Sequence, residues 1–401
     1  MESDNKLFLL DAYALIYRAY YAFIKNPRIN SKGFNTSAIL GFVNTLEEVL
    51  KKENPTHIGV AFDPAGPTFR HEAFEQYKAQ REETPEAIRL SVPIIKEIIR
   101  AYRIPILEVA GYEADDVIGT LATEAGRQGI ITYMMTPDKD YGQLVSDKVF
   151  MYRPKHTGGF EVMGVDEVKA KFDIQSPAQV IDMLGLMGDS SDNIPGCPGV
   201  GEKTAQKLIA EFGSIENLLE HTDQLKGALK TKVETNREMI TFSKFLATIK
   251  IDVPIQLDMD SLVREQADED SLRQIFEELE FRTLIDRVLK KENAGNGITT
   301  PTGNKTAAEK SNLAPLPLFP EEGGAVQGDL FANFTGNEPG EAKNSNLATL
   351  ETLNCDYQLI DTEEKRTKII QKLLTSKILS LDTETTGTEP MDAELVGMSF
   401  S

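Results

Sequence analysis

The sequence predicts an α/β domain on a parallel sheet, with helices on both faces. A helical region, a low-complexity tether and the start of a second α/β unit follow it. Three observations carry this. Short apolar runs alternate with longer amphipathic stretches through the first half of the chain, the pattern of strand–helix–strand units. Four of those runs lead into acidic residues. After residue 291 the apolar periodicity stops, and it resumes only near residue 357.

Composition sets the limits. The chain has 401 residues, enough for two or three domains. Two cysteines, Cys197 and Cys355, cannot form a disulfide framework, so a reducing compartment is expected. The first apolar run, Leu7-Phe8-Leu9-Leu10, stops at Asp11 and is too short for a signal peptide or a membrane span. A net charge of −20 argues weakly against a nucleic-acid partner, an argument that fails where acids gather around metal ions.

In chain order, Leu7–Leu10 reads as a strand ending at Asp11, and Ala14 to Ile24 as a helix. Ala38 to Lys51 and Pro85 to Arg100 read as further helices. His57–Phe62 is a second strand, ending at Asp63. Ile106–Val109 is a third, followed by Glu113, Asp115 and Asp116 within Gly111-Tyr112-Glu113-Ala114-Asp115-Asp116. Ile130–Met135 is a fourth, followed by Asp138 and Asp140. A single acid after a strand is commonly a helix cap, and an acid-rich first turn suits the helix dipole. Recurrence at four strands changes the argument, because ligands of open α/β sheets bind at the carboxyl ends of strands. Carboxylates crowded there repel one another unless cations intervene. Oxygen-only ligands select Mg²⁺ or Mn²⁺ over zinc. Two such ions about 4 Å apart suit phosphodiester hydrolysis, one activating water and the other steadying the leaving oxygen. Lys78 and Arg81 are read as one helical turn apart, with Tyr77 beside them, a combination suited to phosphates and a stacked base.

The run Phe62-Asp63…Phe69-Arg70-His71-Glu72-Ala73…Tyr77-Lys78-Ala79-Gln80-Arg81, then Gly111–Asp116, then Thr136-Pro137-Asp138-Lys139-Asp140, resembles the 5′-nuclease family of bacterial DNA polymerase I and the flap endonucleases. The resemblance covers about residues 5 to 290. It implies a PIN-like, Rossmann-type catalytic domain over 1–171 and a helix-hairpin-helix DNA-binding domain over 172–291. By the same resemblance Asp11, Asp63, Glu113, Asp115 and Asp116 form a first metal group. Asp138, Asp140, Asp189 and Asp192 form a second. Lys78, Arg81 and Arg70 are carried over as catalytic cations on or beside a helical arch, with Tyr77 contacting DNA. The turn Pro198-Gly199-Val200-Gly201-Glu202-Lys203-Thr204 resembles the family's hairpin. Gly199, Gly201, Lys203, Thr204 and Lys207 would grip duplex backbone there, with a bound K⁺. A Gly-x-Gly turn opening a helix offers backbone N–H groups to phosphate, and the tight turn calls for glycine at positive φ. Grip without base readout implies structure-specific binding. The expected cofactors are two Mg²⁺ or Mn²⁺. The expected partner is DNA with 5′ flaps, nicks, gaps or RNA primer ends, met by a cytoplasmic, nucleoid-associated bacterial monomer. Alternatives are a non-catalytic DNA-binding module and a PIN-like ribonuclease.

Thr241 to Ile255 also resembles the polymerase branch, and Ser271 to Lys290 reads as a final amphipathic helix. Residues 292–346 read as a disordered linker. Within it Gln327-Gly328-Asp329-Leu330-Phe331 resembles peptides that dock on bacterial sliding clamps, through Gln327, Leu330 and Phe331. Residues 347–401 read as strands Tyr357–Ile360 and Ile378–Leu381 around a helix Glu363 to Leu374. Asp382 and Glu384 follow, on one face of the second strand. They resemble the first motif of a ribonuclease H-like 3′–5′ exonuclease. Its remaining acids are absent before Ser401, so neither proofreading nor polymerisation is expected of this chain, which is expected to be a piece of a longer polymerase.

Overall fold

The computed structural model describes residues 5–155, 159–289, 360, 362–375, 381–385 and 395–400. The described residues up to Leu289 fall into one compact unit and those from Ile360 onward into another. The linker, the Gln327–Phe331 peptide and the strand expected at Tyr357–Ile360 lie outside the described residues.

The first unit is organised by a six-stranded sheet of order β3-β2-β1-β4-β5-β6. Its strands are β1 (Lys6–Asp11), β2 (His57–Ala61), β3 (Ile106–Leu107), β4 (Ile131–Met135), β5 (Val149–Pro154) and β6 (Phe160–Met163). The first five are parallel, and β6 returns antiparallel along β5. Alternation within β1 shows why the sheet is covered twice. Leu7 and Leu9 enter one core and Phe8 and Leu10 the other, all four fully buried. Parallel sheets take this form because the crossover helices cover their faces.

Helices α1 (Ala12–Ala22), α2 (Ser37–Lys52) and α4 (Glu86–Ala101) cover the Phe8 face. In α2 the buried Ile39, Phe42, Val43, Leu46, Val49 and Leu50 form one stripe at helical spacing. Helix α3 (Phe69–Ala73) is a single short piece. Helix α5 (Ala114–Arg127) lies on the Leu7 face. Beyond α6 (Val165–Phe172) come α7 (Val180–Met187), α8 (Glu202–Phe212), α9 (Ile215–Glu220), α10 (Gly227–Thr235) and α11 (Arg237–Ala247). Their apolar residues, Leu208 and Ile240 among them, join the core of the Leu7 face. The sheet and the helical part therefore share one interior.

The end of this unit packs back against the sheet. His57 bridges to Val263, and α12 (Glu269–Glu278) and α13 (Arg282–Leu284) bury Leu272, Phe276 and Leu284 in the Phe8-face core. The chain after about 258 thus returns to the sheet. The single helix expected over Ser271–Lys290 is also interrupted. Glu280 takes a left-handed φ of 63°, which an α-helix of L-residues does not continue through. A π-turn follows at Ile285–Leu289.

In the second unit, α14 (Glu363–Thr375) matches the expected helix. The strand expected from Ile378 is described only from Leu381. β7 (Leu381–Thr385) pairs antiparallel with β8 (Leu395–Phe400), setting Asp382 opposite Ser399 and Glu384 opposite Gly397. Among the described residues, no helix is long and apolar enough to cross a membrane.

Candidate functional site

The parallel topology brings the carboxyl ends of β1, β2, β3 and β4 to one edge. Asp11 closes β1 and caps α1, accepting from the Ala14 N–H at 3.1 Å. Its Oδ2 accepts from the Thr136 hydroxyl at 3.2 Å and the Tyr141 hydroxyl at 3.4 Å. Asp63 follows β2 and accepts from the Ala114 N–H at 2.7 Å. That bond ties it to the first turn of α5, where Glu113, Asp115 and Asp116 stand. Each of those three offers an oxygen within 4.8 Å of the others. Both readings of this triplet hold, because Glu113 also caps the helix and Asp116 accepts from the Glu113 N–H at 3.1 Å.

Arg70 lies under the triplet with 1% side-chain exposure. Its Nη1 donates to Glu113 at 2.9 Å and to Asp116 at 2.8 Å, and its Nη2 donates to Asp116 at 2.8 Å. Nε and Nη2 also donate to the carbonyls of Leu246 and Thr248, at 2.9 and 2.8 Å. All five guanidinium N–H groups are thereby used. Asp116 is equally occupied. It accepts two bonds from Arg70, one from the Glu113 N–H and one from the Lys250 N–H at 2.8 Å. An ion reaching Asp116 competes with Arg70. The expectation of Arg70 as a catalytic cation meets a physical obstacle: it is buried beneath the acids, fastening α5 to the last turn of α11 and the residue after it, with all its donors used.

The second acid group flanks the first. Asp138 follows β4, is exposed, and accepts from the Asp140 N–H at 2.9 Å. Asp189 bonds Lys139 at 2.7 Å and the Ser191 N–H at 2.8 Å. Asp192 accepts from the Tyr77 hydroxyl at 3.1 Å and pairs with Arg81. Lys78 joins the groups, with Nζ 2.7 Å from Glu113 and 3.7 Å from Asp192. Lys139 was not among the expected site residues, although it sits inside the quoted Thr136–Asp140 motif.

The segment carrying these cations is not the expected helix. After Ala73 the chain runs in successive turns, and Lys78 takes a φ of 57°. Contacts to the acidic loop hold this shape. The Lys78 N–H donates to the Asp192 carbonyl at 3.0 Å, Gln80 reaches the Ser190 carbonyl and Arg81 the Ser191 carbonyl. Tyr77 is 3% exposed, with its hydroxyl on Glu113 and Asp192. Its ring is unavailable to stack a base in this conformation.

Electrostatics follow the geometry. Burial and the neighbouring Asp63 push Asp11 up to about 7. Burial and Asp116 raise Asp115 well above the carboxylate range, and burial and Asp138 do the same to Asp140. Burial acts in the same direction on Glu113 and Asp192, yet both end below the usual range. Lys78 with Arg70 overcomes it at Glu113, and Lys78 with Arg81 at Asp192. Repulsion and burial therefore prevail where the nearby cation is too weak to offset them: Arg70 comes to 3.9 Å from Asp115, and Lys139 acts on Asp140, yet both acids stay raised. At Asp140 one carboxylate oxygen, Oδ1, is buried without a hydrogen-bond partner. An all-oxygen donor set with mutual repulsion and an orphaned buried oxygen fits hard divalent cations.

The glycine turn is placed apart, at the start of α8. Gly199 has φ +75°, as expected. Gly201 does not need positive φ: it caps α8 at φ −97° and ψ −178°. A Cβ there would meet nothing within 4 Å, so the surface before it is open. Lys203 and Lys207 are exposed and Thr204 is half-buried beside it. Lys232, absent from the expected set, donates to the Gly199 carbonyl at 3.2 Å. Asp382 and Glu384 belong to the second unit.

Two family models match the chain: a 5′–3′ exonuclease N-terminal resolvase-like domain over residues 6–173, and a 5′–3′ exonuclease C-terminal SAM fold over 175–270. DNA polymerase I of Bacillus subtilis is 43% identical over 291 residues, covering 72% of this chain and 33% of that protein. DNA polymerase I of Chloroflexus aurantiacus is 34% identical over 398 residues, covering 98% of this chain and 40% of that protein. The chain thus spans well under half the length of these relatives. Among solved structures, T5 5′-exonuclease with bound zinc ions aligns at a TM-score of 0.52 and 21% identity, over 69% of this chain and 99% of that one. A T5 flap endonuclease complex with DNA and metal ions aligns at 0.51 and 22%, over 69% and 100%. At these identities the structural likeness speaks for the fold.

Proposed function

Because the chain belongs to the 5′–3′ exonuclease family, we propose that it hydrolyses DNA phosphodiesters at 5′ flaps and 5′ ends, in primer removal and repair. The observation that carries this reading is the convergence of nine carboxylates from four strand ends and one loop on one edge, interleaved with Lys78, Arg81 and Lys139. Asp11, Asp63, Glu113 and Asp115 are assigned to one divalent ion, with Asp116 in exchange with Arg70. Asp138, Asp140, Asp189 and Asp192 are assigned to the other. Mg²⁺ is the metal expected of oxygen ligands, with Mn²⁺ as its substitute. When bound, such a pair lowers the pKa of water and stabilises the leaving oxygen.

The chain's own residues prepare the reaction. Arg70 and Asp116 fix the first turn of α5, so that Glu113 and Asp115 face the edge. Thr136 and Tyr141 orient Asp11. Lys78 holds a half-buried positive charge between the two acid groups, where a scissile phosphate gathers negative charge. Arg81, 40% exposed, steers the entering strand. The turn at Gly199–Thr204, with Lys203 and Lys207, holds duplex backbone, and a K⁺ bound there would add to that grip. Docking to a sliding clamp through Gln327–Phe331, action as a monomer, association with the nucleoid, and the polymerase activity of a longer parent protein are further proposals.

The test uses labelled double-flap DNA with Mg²⁺, a 3′-recessed primer, and the Asp138→Ala variant. Cleavage near the flap junction, weakened about 100-fold or more in the variant, with the primer intact, supports the reading. Binding without metal-dependent cleavage would replace it with a non-catalytic DNA-binding module. Selective cutting of RNA alone would favour the ribonuclease reading.

A further inference from the structure

Lys78 and Arg81 occupy one flank of the acidic edge. The opposite flank has no assigned role. β5 is the last parallel strand, and its register with β4 ends at Met135 opposite Tyr152. Arg153 therefore stands one residue beyond that pair, level with Thr136 and at the same carboxyl edge. Where β1, β2 and β4 lead to acid, β5 delivers an arginine. Its side chain is 12% exposed, with Nη1 3.5 Å from Glu161 and 3.1 Å from the Met163 sulfur. Arg18 reaches the same place from α1, donating to the Lys155 carbonyl at 3.2 Å. Lys171, in the last turn of α6, holds its ammonium 5.9 Å from the Phe172 ring centre.

Cations and acids mix here: Glu161 and Asp138 act on both Arg153 and Lys171, beside the repulsion that Arg153 exerts on Lys171. Burial and the neighbouring Arg153 push Lys171 down to about 7, and burial lowers Arg18 to about 10. Glu161, the acid facing Arg153, is 40% exposed and so a weak counter-charge. Three half-buried cations from three elements, set beside a metal edge, suit one ligand chemistry: a phosphodiester oxygen. Arginine's fork recognises that group with two parallel donors.

We propose that Arg18, Arg153 and Lys171 form a second phosphate-binding flank, which takes a backbone phosphate of the bound DNA strand on the Asp138 side of the metal edge. This rests on the 5′-nuclease reading above. The flank positions the strand and carries no sequence information.

The experiment measures anisotropy of labelled double-flap DNA with Ca²⁺ replacing Mg²⁺, across roughly 50–200 mM salt. Steady-state cleavage with Mg²⁺ runs in parallel. The parent chain is compared with Arg18→Ala, Lys171→Ala, Arg153→Gln and Arg153→Lys. Each charge removed is expected to reduce the slope of log K against log salt measurably, by at most about 0.9, the value for one neutralised phosphate. KM should rise about 3- to 10-fold with kcat changed less than about 2-fold, and Arg153→Lys should keep most of the slope. Should Arg153→Gln fail to fold, Arg18→Ala and Lys171→Ala decide the matter, provided their circular-dichroism melts match the parent. Unchanged slopes and KM in those two, with a parent that cuts flaps, overturn the flank alone. A parent that does not cut overturns the nuclease reading and this inference with it.

Discussion

Arg70→Met tests the arrangement most directly, because the structure sets its expected size. Methionine approximates the aliphatic stem and removes five N–H donors. Asp116, fully buried, drops from four hydrogen bonds to the two from backbone N–H groups. The Leu246 and Thr248 carbonyls each lose a charged donor. Glu113 keeps Lys78 and Tyr77, so most of the cost falls on Asp116. Breaking a buried ion pair from one side costs about 3–5 kcal/mol, a large share of a stability of about 5–15 kcal/mol. Urea denaturation followed by far-ultraviolet circular dichroism reads this, since the chain contains no tryptophan. Arg70→Lys should recover part of the loss, because one ammonium cannot supply a bidentate pair and two carbonyl contacts. Adding Asp116→Leu to Arg70→Met should be less damaging than additivity predicts, by about 1 kcal/mol or more. If Arg70→Met lies within about 1 kcal/mol of the parent, the buried network is not what holds α5 in place.

Three further outcomes are expected. Asp11 has its folded pKa raised from 3.8 to about 7. Its favourable contribution in metal-free protein is therefore full below about pH 4 and is lost as pH rises towards 7. Thermal melts in EDTA should show Asp11→Asn gaining on the parent across that window, by up to about 4 kcal/mol; parallel pH profiles would refute this. Lys78→Ala should lower kcat about 10²- to 10³-fold while flap affinity changes far less, read by single-turnover cleavage beside anisotropy. Gly196→Ala should lower the melting temperature sharply, because Gly196 has φ +62° and an added Cβ would overlap the Gly188 backbone nitrogen; an unchanged melt would show that the 188–196 loop can relax.

What the sequence disclosed depended on whether the signal was local. β1, β2 and β4 are apolar runs bounded by acid, so strand and ligand were readable together. β5 and β6 were not foreseen, since Val149–Pro154 mixes Arg153 and Pro154 into its apolar run. The glycine turn was readable as a turn, but only the backbone distinguishes Gly199, which needs positive φ, from Gly201, which does not. The role of Arg70 was unreadable, because its partners lie 43 to 178 residues away. The helix expected around Lys78 failed for the same reason. Bonds to residues 190–193 override the local helical preference and impose a left-handed residue there.

Those bonds have a consequence for the order in which the complex assembles. In the metal-free chain Lys78 and Arg81 act as resident counter-ions, moored to the carboxylates that divalent ions would claim. On the proposed two-metal reading, an ion settling on Glu113 or Asp192 would release Lys78 or Arg81 from that carboxylate. Metal loading and capture of the phosphate backbone are then two sides of one exchange. By reciprocity, DNA that occupies the freed lysine and arginine tightens the hold on metal by the same factor.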